Sequence, residues 1–415
     1  MEPVTLILDA FIIFVSSYNE IKAAFGKSKN AKEKLNSLYF SISHNLLSIL
    51  YISKPPSLFL ILRTIKFYIL VKNRYMMEDS KARRALPKYF SILEGKVSPN
   101  FLLLKKVKLK FHEDMNLNEL WKIHHRGMNL LRRGEFVDEG PQDLLQLKAY
   151  IAQRMTESCN LCELKCRADR RKSMGACRVK NSKIATYFLH FGEERELVPS
   201  FTIFFSGCNF RCVFCQNWDI SQSSVGSRIP EKEMARIIEN AFLNGARNVN
   251  FVGGEPTPNI PYILKTMWYV NSPIPIVWNS NMYMSEEAMK LLDGFVDIYL
   301  GDLKWSNNEI ALMYSKIPNY WETITRNFKL ALEHYRVEFL IRHLVIPNHL
   351  ENTHRILEWI KNNLGKDLRL NIMFQYFPHY RARNYGEINK RVSYEEMKNV
   401  EKMVKEMGFS NAIVG

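Results

Sequence analysis

Seven cysteines stand in two groups along this 415-residue chain, and thiols so clustered are first of all metal ligands. Cys208, Cys212 and Cys215 form a C-x3-C-x2-C run in the segment GCNFRCVFCQN. Three thiolates on one tight loop hold three corners of a cubane iron–sulfur cluster and leave its fourth iron open. An open coordination position is what a metal needs to bind and activate a second molecule. A structural zinc is the competing reading, but it wants four ligands, and this loop offers three cysteines and no histidine. The other four, Cys159, Cys162, Cys166 and Cys177, are spaced C-x2-C-x3-C-x10-C, a complete ligand set for one more metal. That spacing suits zinc and iron–sulfur equally. Four free thiols so close together would invite oxidation.

The setting of these thiols follows from what surrounds them. An odd cysteine count and a start, MEPVTLILDAFIIFVSSYNE, without a basic n-region or small-residue cleavage site argue against a secreted disulfide scaffold. The apolar stretches near the N-terminus are broken by Asp9, Arg63 and Lys66, short of the about 18 uncharged residues of a spanning helix. A reduced, cytoplasmic location is the expectation. The formal charge of +16 is spread along the chain without one dense basic block, so it reads as solvated helix faces. Aromatic and basic residues are not interleaved as in an RNA-binding module, and nucleic acid is not indicated.

The elements that must position the cysteines change character along the chain. Residues 1–75 combine apolar helical runs such as SLFLILRTIKFYILVK with a Lys-rich connector, an apolar basic extension expected to be a small helical bundle. Two other readings stand beside it: an amphipathic helix lying on a membrane surface, or a biological start at Met76 or Met77. Residues 76–158 read as a helical lead-in, with Asp143 and 144–155 as one helix feeding the first cysteine. Residues 159–199 form the Cys-rich metal-binding segment, and 200–415 the main domain. In that domain six near-continuous apolar strands (201–206, 249–253, 274–279, 297–304, 337–345 and 369–375) alternate with amphipathic runs. The fold class is α/β: a partial (β/α)6 barrel of TIM type with a mostly helical N-terminal extension. Chemistry in such folds sits at strand C-termini. Cys208 follows the first strand, and Gly253-Gly254-Glu255-Pro256 ends the second.

Here the chain resembles the radical S-adenosylmethionine (SAM) superfamily. The resemblance is carried by the C-x3-C-x2-C run with an aromatic, Phe214, before the last cysteine, and by the GGE edge at the second strand. Across 159–376 it is similar to a narrower group, the pyruvate formate-lyase-activating-enzyme-like iron–sulfur proteins, through FLHFGEE (188–194), FFSGCNFRCVFCQNWDIS (204–221), GGEPTP (253–258), WNSN (278–281), DIYLGDLKW (297–305), IRHLVIPNHLE (341–351) and MFQYFPHYRA (373–382). Residues 1–75 lie outside it. The group shares the upstream four-cysteine set.

The resemblance implies a [4Fe–4S] cluster on Cys208, Cys212 and Cys215 whose open iron chelates SAM, and reductive cleavage to a 5′-deoxyadenosyl radical. It implies oxidoreductase-type chemistry with a one-electron donor such as ferredoxin or flavodoxin. Phe214 and backbone near Asn217 are expected at the adenine, and Gly253, Gly254 and Glu255 at the methionine amino group. Asn279, Asn281, Asp302 and Lys304 are candidates for ribose or carboxylate contacts; Arg342, His343, Gln375 and Tyr376 complete the barrel mouth. Each has a structural alternative: an Asp302–Lys304 ion pair, a carboxylate partner for Arg342, a satisfied strand histidine at His343. A second [4Fe–4S] cluster upstream would carry electrons or hold substrate, whereas zinc would staple the lead-in to the barrel. The activating-enzyme likeness points to a protein substrate of the glycyl-radical kind, although Gln216-Asn217 stand where that pattern has His-Asn. Modification of RNA or a small molecule is the rival within the superfamily. An iron–sulfur electron carrier or metal-stapled binding protein is the rival outside it.

Overall fold

The structure is a computed structural model and describes residues 80–112 and 114–415. The N-terminal extension and the Met76 or Met77 start therefore lie outside the described residues. The lead-in begins with three short helices, α1 (Ser80–Ala85), α2 (Pro87–Leu93) and α3 (Asn100–Leu104). A two-stranded antiparallel ribbon of β1 (Lys108–Leu109) and β2 (Gln142–Asp143) brackets α4 (Leu117–Arg132) and leads into α5 (Leu144–Met155). Both long helices start with reciprocal caps: Asn116 and Glu119 bond each other's backbone N–H at the head of α4, and Asp143 and Gln146 do so at α5. The expected helix over 144–155 is there.

Helix α5 is largely buried, through Leu144, Leu145, Leu147, Ile151 and Met155. Lys148 is buried with them; its Nζ lies 2.8 Å from His124 Nε2 and donates to the Lys290 carbonyl at 3.1 Å. Burial pushes its pKa down to about 7, with Asp293 opposing. Between about pH 7 and the usual lysine value the unfolded chain holds a proton that the folded chain does not, so folding stability rises with pH across that window. Lys148→Met is expected to flatten the rise. Urea unfolding at two values inside the window checks this: wild type should gain about 1 kcal/mol per pH unit relative to the variant, and parallel behaviour would refute it.

The main domain is one eight-stranded sheet in the order β10-β9-β8-β7-β6-β5-β4-β3. Its strands are β3 (Ile184–His190), β4 (Ser200–Phe205), β5 (Asn248–Gly253), β6 (Ile276–Ser280), β7 (Ile298–Asp302), β8 (Glu338–Leu344), β9 (Arg369–Met373) and β10 (Ala412–Val414). The six expected strands are β4 to β9, in sequence order and parallel. Two more flank them, which corrects the count: β10 adds a parallel strand to β9, and β3 runs antiparallel against β4. Both escape a search for long apolar runs, because β10 has three residues and β3 exposes Tyr187 and Phe188. The connecting helices are α6 (Trp218–Ser221), α7 (Glu231–Leu243), α8 (Ile260–Tyr269), α9 (Glu286–Leu292), α10 (Asn308–Ser315), α11 (Tyr320–Leu332), α12 (Leu350–Asn363) and α13 (Tyr394–Met407).

Strand alternation divides the side chains. Phe201, Ile203, Val249, Phe251, Trp278, Tyr299, Ile341 and Ile372 join the main core under the helices. The opposite positions turn inward, and their chemistry changes along each strand. Val277, Ile298, Leu300 and Leu340 near the strand starts form a separate apolar cluster with Ala82 of α1, Leu86 between the helices, and Tyr89 and Phe90 of α2. The lead-in thus plugs the bottom of the partial barrel. Glu338 at the start of β8 anchors the plug, accepting from the Lys88 and Tyr89 N–H groups at 2.7 and 2.8 Å, the orphan donors of a helix start. One step further along come Asn279, Asp302, Arg342 and Asn371. The site belongs at that polar end.

Candidate active site

The three cysteines of the 208–215 loop line a single cavity of about 980 Å³ together with Phe214, Gly253, Gly254, Glu255, Asn279, Asn281, Asp302, Lys304 and Arg342. It is lined from both ends of the sheet, by His190 of β3 and by Ala412 and Ile413 of β10.

The cysteine loop leaves β4 through Gly207, which has φ +85°; a side chain there would sit 2.6 Å from the Cys177 carbonyl oxygen. Cys208 N–H donates to that same carbonyl at 3.1 Å, so the two cysteine segments are joined through the backbone. The thiol of Cys208 accepts from Phe210 N–H at 3.3 Å. Cys212 donates to Ser315 Oγ at 3.2 Å, and Cys215 lies 3.3 Å from Ser221 Oγ. Burial pushes all three thiols up, Cys212 to about 11 and Cys208 well above the ordinary range. At neutral pH they become thiolates only when a metal supplies the positive charge. Among the described residues no three Cys, His, Asp or Glu side chains converge on a point that would hold a single ion. The three sulfurs border an open cavity instead, the arrangement a cubane needs, since its ligands surround a body rather than meet at a point. The residues fit an iron–sulfur cluster.

Gly253 and Gly254 are required by the chain itself. Gly253 has φ +125°, and a Cβ on it would stand 2.1 Å from Phe205 N. One on Gly254 would stand 2.1 Å from the Gly207 carbonyl oxygen. The glycines let the end of β5 press against β4 and the cysteine loop. Glu255 follows at 2% exposure with its carboxylate fully engaged. Oε1 accepts from Thr257 Oγ1 and Ser280 Oγ, both at 2.6 Å, and Oε2 from Asn281 N–H at 3.0 Å. It ties the end of β5 to the end of β6, while burial raises its pKa. Asn281 in turn donates to Asn209 Oδ1 at 2.8 Å, holding the cysteine loop.

Phe214 stands between Trp305 and Tyr376, with ring centroids 5.7 and 5.8 Å away, as one aromatic wall. Asp302 and Lys304 form an ion pair on the cavity surface. Arg342 holds Glu194 with Nε and Nη2 at 2.8 and 2.6 Å and also pairs with Glu193. Burial acts to raise the Glu193 pKa, but Arg342 prevails and holds it at about 2. Glu193 and Glu194 are the site residues that sequence reasoning missed; the signal was two adjacent carboxylates in FLHFGEE, a stretch of otherwise apolar strand. Glu193 also accepts from Asn250 at 3.0 Å, Glu194 from Asn371 at 2.6 Å, and Glu196 pairs with buried Arg369 at 2.5 Å. The segment after β3 therefore crosses the barrel interior and makes a polar floor from β5 to β9.

Gln375 and Tyr376 line the cavity as expected. His343 does not. It faces out from β8 and is satisfied by the Leu303 carbonyl at 2.8 Å and Thr353 Oγ1 at 2.9 Å, with burial lowering its pKa to about 4. Strand alternation sends Arg342 in and its neighbour out.

The upstream cysteines form their own group. Cys166 and Cys177 sulfurs flank Gly175, where a Cβ would meet them at 3.4 and 3.3 Å. Cys166 is exposed, and Cys159, Cys162 and Cys177 are buried. Burial raises all three of these thiols.

A three-cysteine loop and a glycine edge at the C-terminal ends of a parallel partial barrel fit the radical SAM class, and the chain belongs to the radical SAM superfamily: that family's profile matches residues 202–360. A Methanocaldococcus jannaschii relative, the uncharacterized protein MJ0674, is 44% identical over 324 residues, 75% of this chain and 94% of its own. A second from the same organism, the uncharacterized protein MJ0808, is 27% identical over 199 residues, 46% of this chain and 56% of its own. Among solved structures, Streptococcus suis SuiB bound to S-adenosylmethionine is 14% identical with a TM-score of 0.37; the match covers 48% of this chain and 44% of that one, under half of either. Membership carries SAM cleavage at an iron–sulfur cluster. Among the described residues no helix is long and apolar enough to cross a membrane.

Proposed function

We propose that the 208–215 loop holds a [4Fe–4S] cluster at which SAM is cleaved, and that the hydrogen abstracted comes from a polypeptide, as in enzymes of the pyruvate formate-lyase-activating type. The observation that carries this is the single cavity shared by the three thiols, the double-glycine edge and the polar strand ends. When bound, the reduced cluster supplies one electron to split the S–C5′ bond of SAM, yielding methionine and a 5′-deoxyadenosyl radical that takes a hydrogen atom from the substrate. The protein's own part is positional. Phe214, backed by Trp305 and Tyr376, offers a face for the adenine, and the ends of β5 and β6 present Gly253, Gly254 and Asn279 towards the methionine moiety. Lys304 and Asp302 stand where a ribose or carboxylate would be held, and the Glu193–Glu194–Arg342 floor closes the interior to water from below.

A polypeptide is favoured by the architecture. Among the described residues the sheet ends at β3 and β10, and both ends contribute to the cavity wall, so an extended segment can be admitted between them. A separate concavity beside the cysteine loops is lined by Arg178, Arg211, Lys316 and Arg381 with Tyr380 and Tyr385, and no carboxylate is among its lining residues. It suits an acidic one-electron donor of the ferredoxin or flavodoxin kind. The four upstream cysteines are assigned to a second metal, iron–sulfur in preference to zinc, placed one hydrogen bond from Cys208.

The test has two parts. Anaerobically reconstituted and reduced protein incubated with SAM should release 5′-deoxyadenosine and methionine in equal amounts; no release ends the proposal. Deuterated protein, nucleic-acid and small-molecule fractions from cells are then supplied in turn. Deuterium should enter 5′-deoxyadenosine from the protein fraction, and entry from another fraction alone would reassign the substrate class.

A further inference from the structure

A small cavity of about 120 Å³ shares no lining residue with the cavity of the 208–215 loop or with the concavity beside it. Five cations wall it, Arg170, Arg171, Lys180, Arg228 and Lys265, against one carboxylate, Glu231. It has room for several waters. Only part of its charge is answered within the protein. Arg171 pairs with Asp169 at 2.9 Å and Glu157 at 3.3 Å, and Lys265 lies 3.9 Å from Glu231. Among the described residues Arg170, Lys180 and Arg228 form no ion pair.

Arg170 is the fixed wall of this cavity. It is 5% exposed, Nη1 donates to the Pro258 carbonyl at 2.6 Å and Nη2 to the Lys180 carbonyl at 3.3 Å, and both acceptor residues line the cavity as well. Two of the five guanidinium N–H donors are so used. Nε is buried without a hydrogen-bond partner. The backbone N–H of Arg170 donates to the Thr156 carbonyl at 2.9 Å, which holds the residue in place. A guanidinium withdrawn from water without a counter-charge loses hydration that carbonyls alone replace poorly, and an anion beside it restores the loss.

We propose that this cavity binds a phosphate dianion, free or as the monoester of a small molecule. Three cations without an ion pair call for more than one negative charge, which a phosphate carries and a carboxylate does not. Guanidinium forks match the oxygens of such a group. Asn181 and Ser182 add an amide and a hydroxyl donor. Helices α7 and α8 both begin at the cavity, at Glu231 and at Pro261 and Tyr262, and bring the positive ends of their dipoles to it. Arg171, Asn181, Arg228 and Lys265 are exposed, so the cavity opens to solvent and an ester group has a way out. Pro258 stands in the short turn that follows Glu255 and Pro256, which puts the site next to the end of β5.

Equilibrium dialysis of the reconstituted full chain against radiolabelled inorganic phosphate tests this, at about pH 8, where the dianion dominates, and at an ionic strength held constant with chloride. Wild type should bind phosphate saturably. Arg228→Glu reverses an exposed charge and should weaken binding at least about tenfold. Lys316→Glu reverses a charge in the other basic concavity and should stay within about twofold of wild type. No binding by wild type, equal loss in both variants, or loss in Lys316→Glu alone overturns the assignment. Should Arg228→Glu fail to fold, Arg228→Gln gives the same comparison without a reversed charge. Unlabelled methyl phosphate and dimethyl phosphate then compete with the label. Methyl phosphate binding more tightly than phosphate itself supports a monoester ligand, and weaker binding supports free phosphate. Dimethyl phosphate, a monoanion like the links of a nucleic-acid backbone, should not compete; competition equal to that of methyl phosphate overturns the dianion site.

Discussion

Cys208→Ala should reduce 5′-deoxyadenosine release to the level seen without enzyme, while the protein stays folded. Cys208 is the first cysteine on the loop after β4. Its N–H bonds to the Cys177 carbonyl at 3.1 Å and its sulfur accepts from Phe210 N–H at 3.3 Å, so backbone on both sides fixes the thiol over the cavity. A loop that offers three sulfurs and loses one cannot hold a cubane with a single open corner. The structural cost is small by comparison. A buried cysteine behaves as a small apolar residue, and removing its sulfur costs about 1–2 kcal/mol. Thermal unfolding separates the two effects: a modest fall in Tm, with cleavage gone. Undiminished cleavage in Cys208→Ala would remove the cysteine loop from the chemistry.

Gly253→Ala is the second large effect, and it acts by geometry alone. A methyl group on Gly253 would sit 2.1 Å from Phe205 N and 2.3 Å from Phe205 O, atoms of the neighbouring strand. Neither can yield, because Phe205 and Gly253 are register partners in the β4–β5 ladder. The φ of +125° adds strain that an alanine tolerates poorly. Together these cost on the order of 4 kcal/mol. If β5 instead shifts by about 1 Å to make room, Glu255 and the cysteine loop shift with it, and SAM cleavage falls about a hundredfold. Gly386→Ala is the matched control, since nothing lies within 4 Å of its added methyl. Equal cleavage rates and Tm values for the two variants would show that the β4–β5 contact carries no such constraint.

The legible part of the site is the part encoded by local spacing. The two cysteine groups, the GGE edge and the polar strand ends at Asn279, Asp302, Lys304 and Arg342 are visible because strand period and loop length alone fix their level along the barrel. For His343 the sequence leaves a rim place and a satisfied strand histidine both open: alternation decides which of two neighbours faces in, and the strand phase is not fixed by an apolar run such as FLIRHLV. Glu193 and Glu194 were passed over because their partners, Asn250, Arg342 and Asn371, are 57 to 177 residues away. The plug formed by Tyr89 and Phe90 escaped notice likewise, since amphipathic helices pack equally well outside a barrel as inside it.

By itself, then, the sequence determined a parallel α/β barrel with chemistry at its strand ends, a three-cysteine loop and a four-cysteine set. Each of these depends on residues close together in the chain. The tertiary structure decided three things. It extended six strands to eight, since a three-residue strand and an exposed edge strand are held by pairing rather than by their own pattern. It showed that the double glycine serves an approach of backbone to backbone. It joined the two cysteine groups through the Cys177 carbonyl, because contact across 31 residues of chain exists only once the chain has folded.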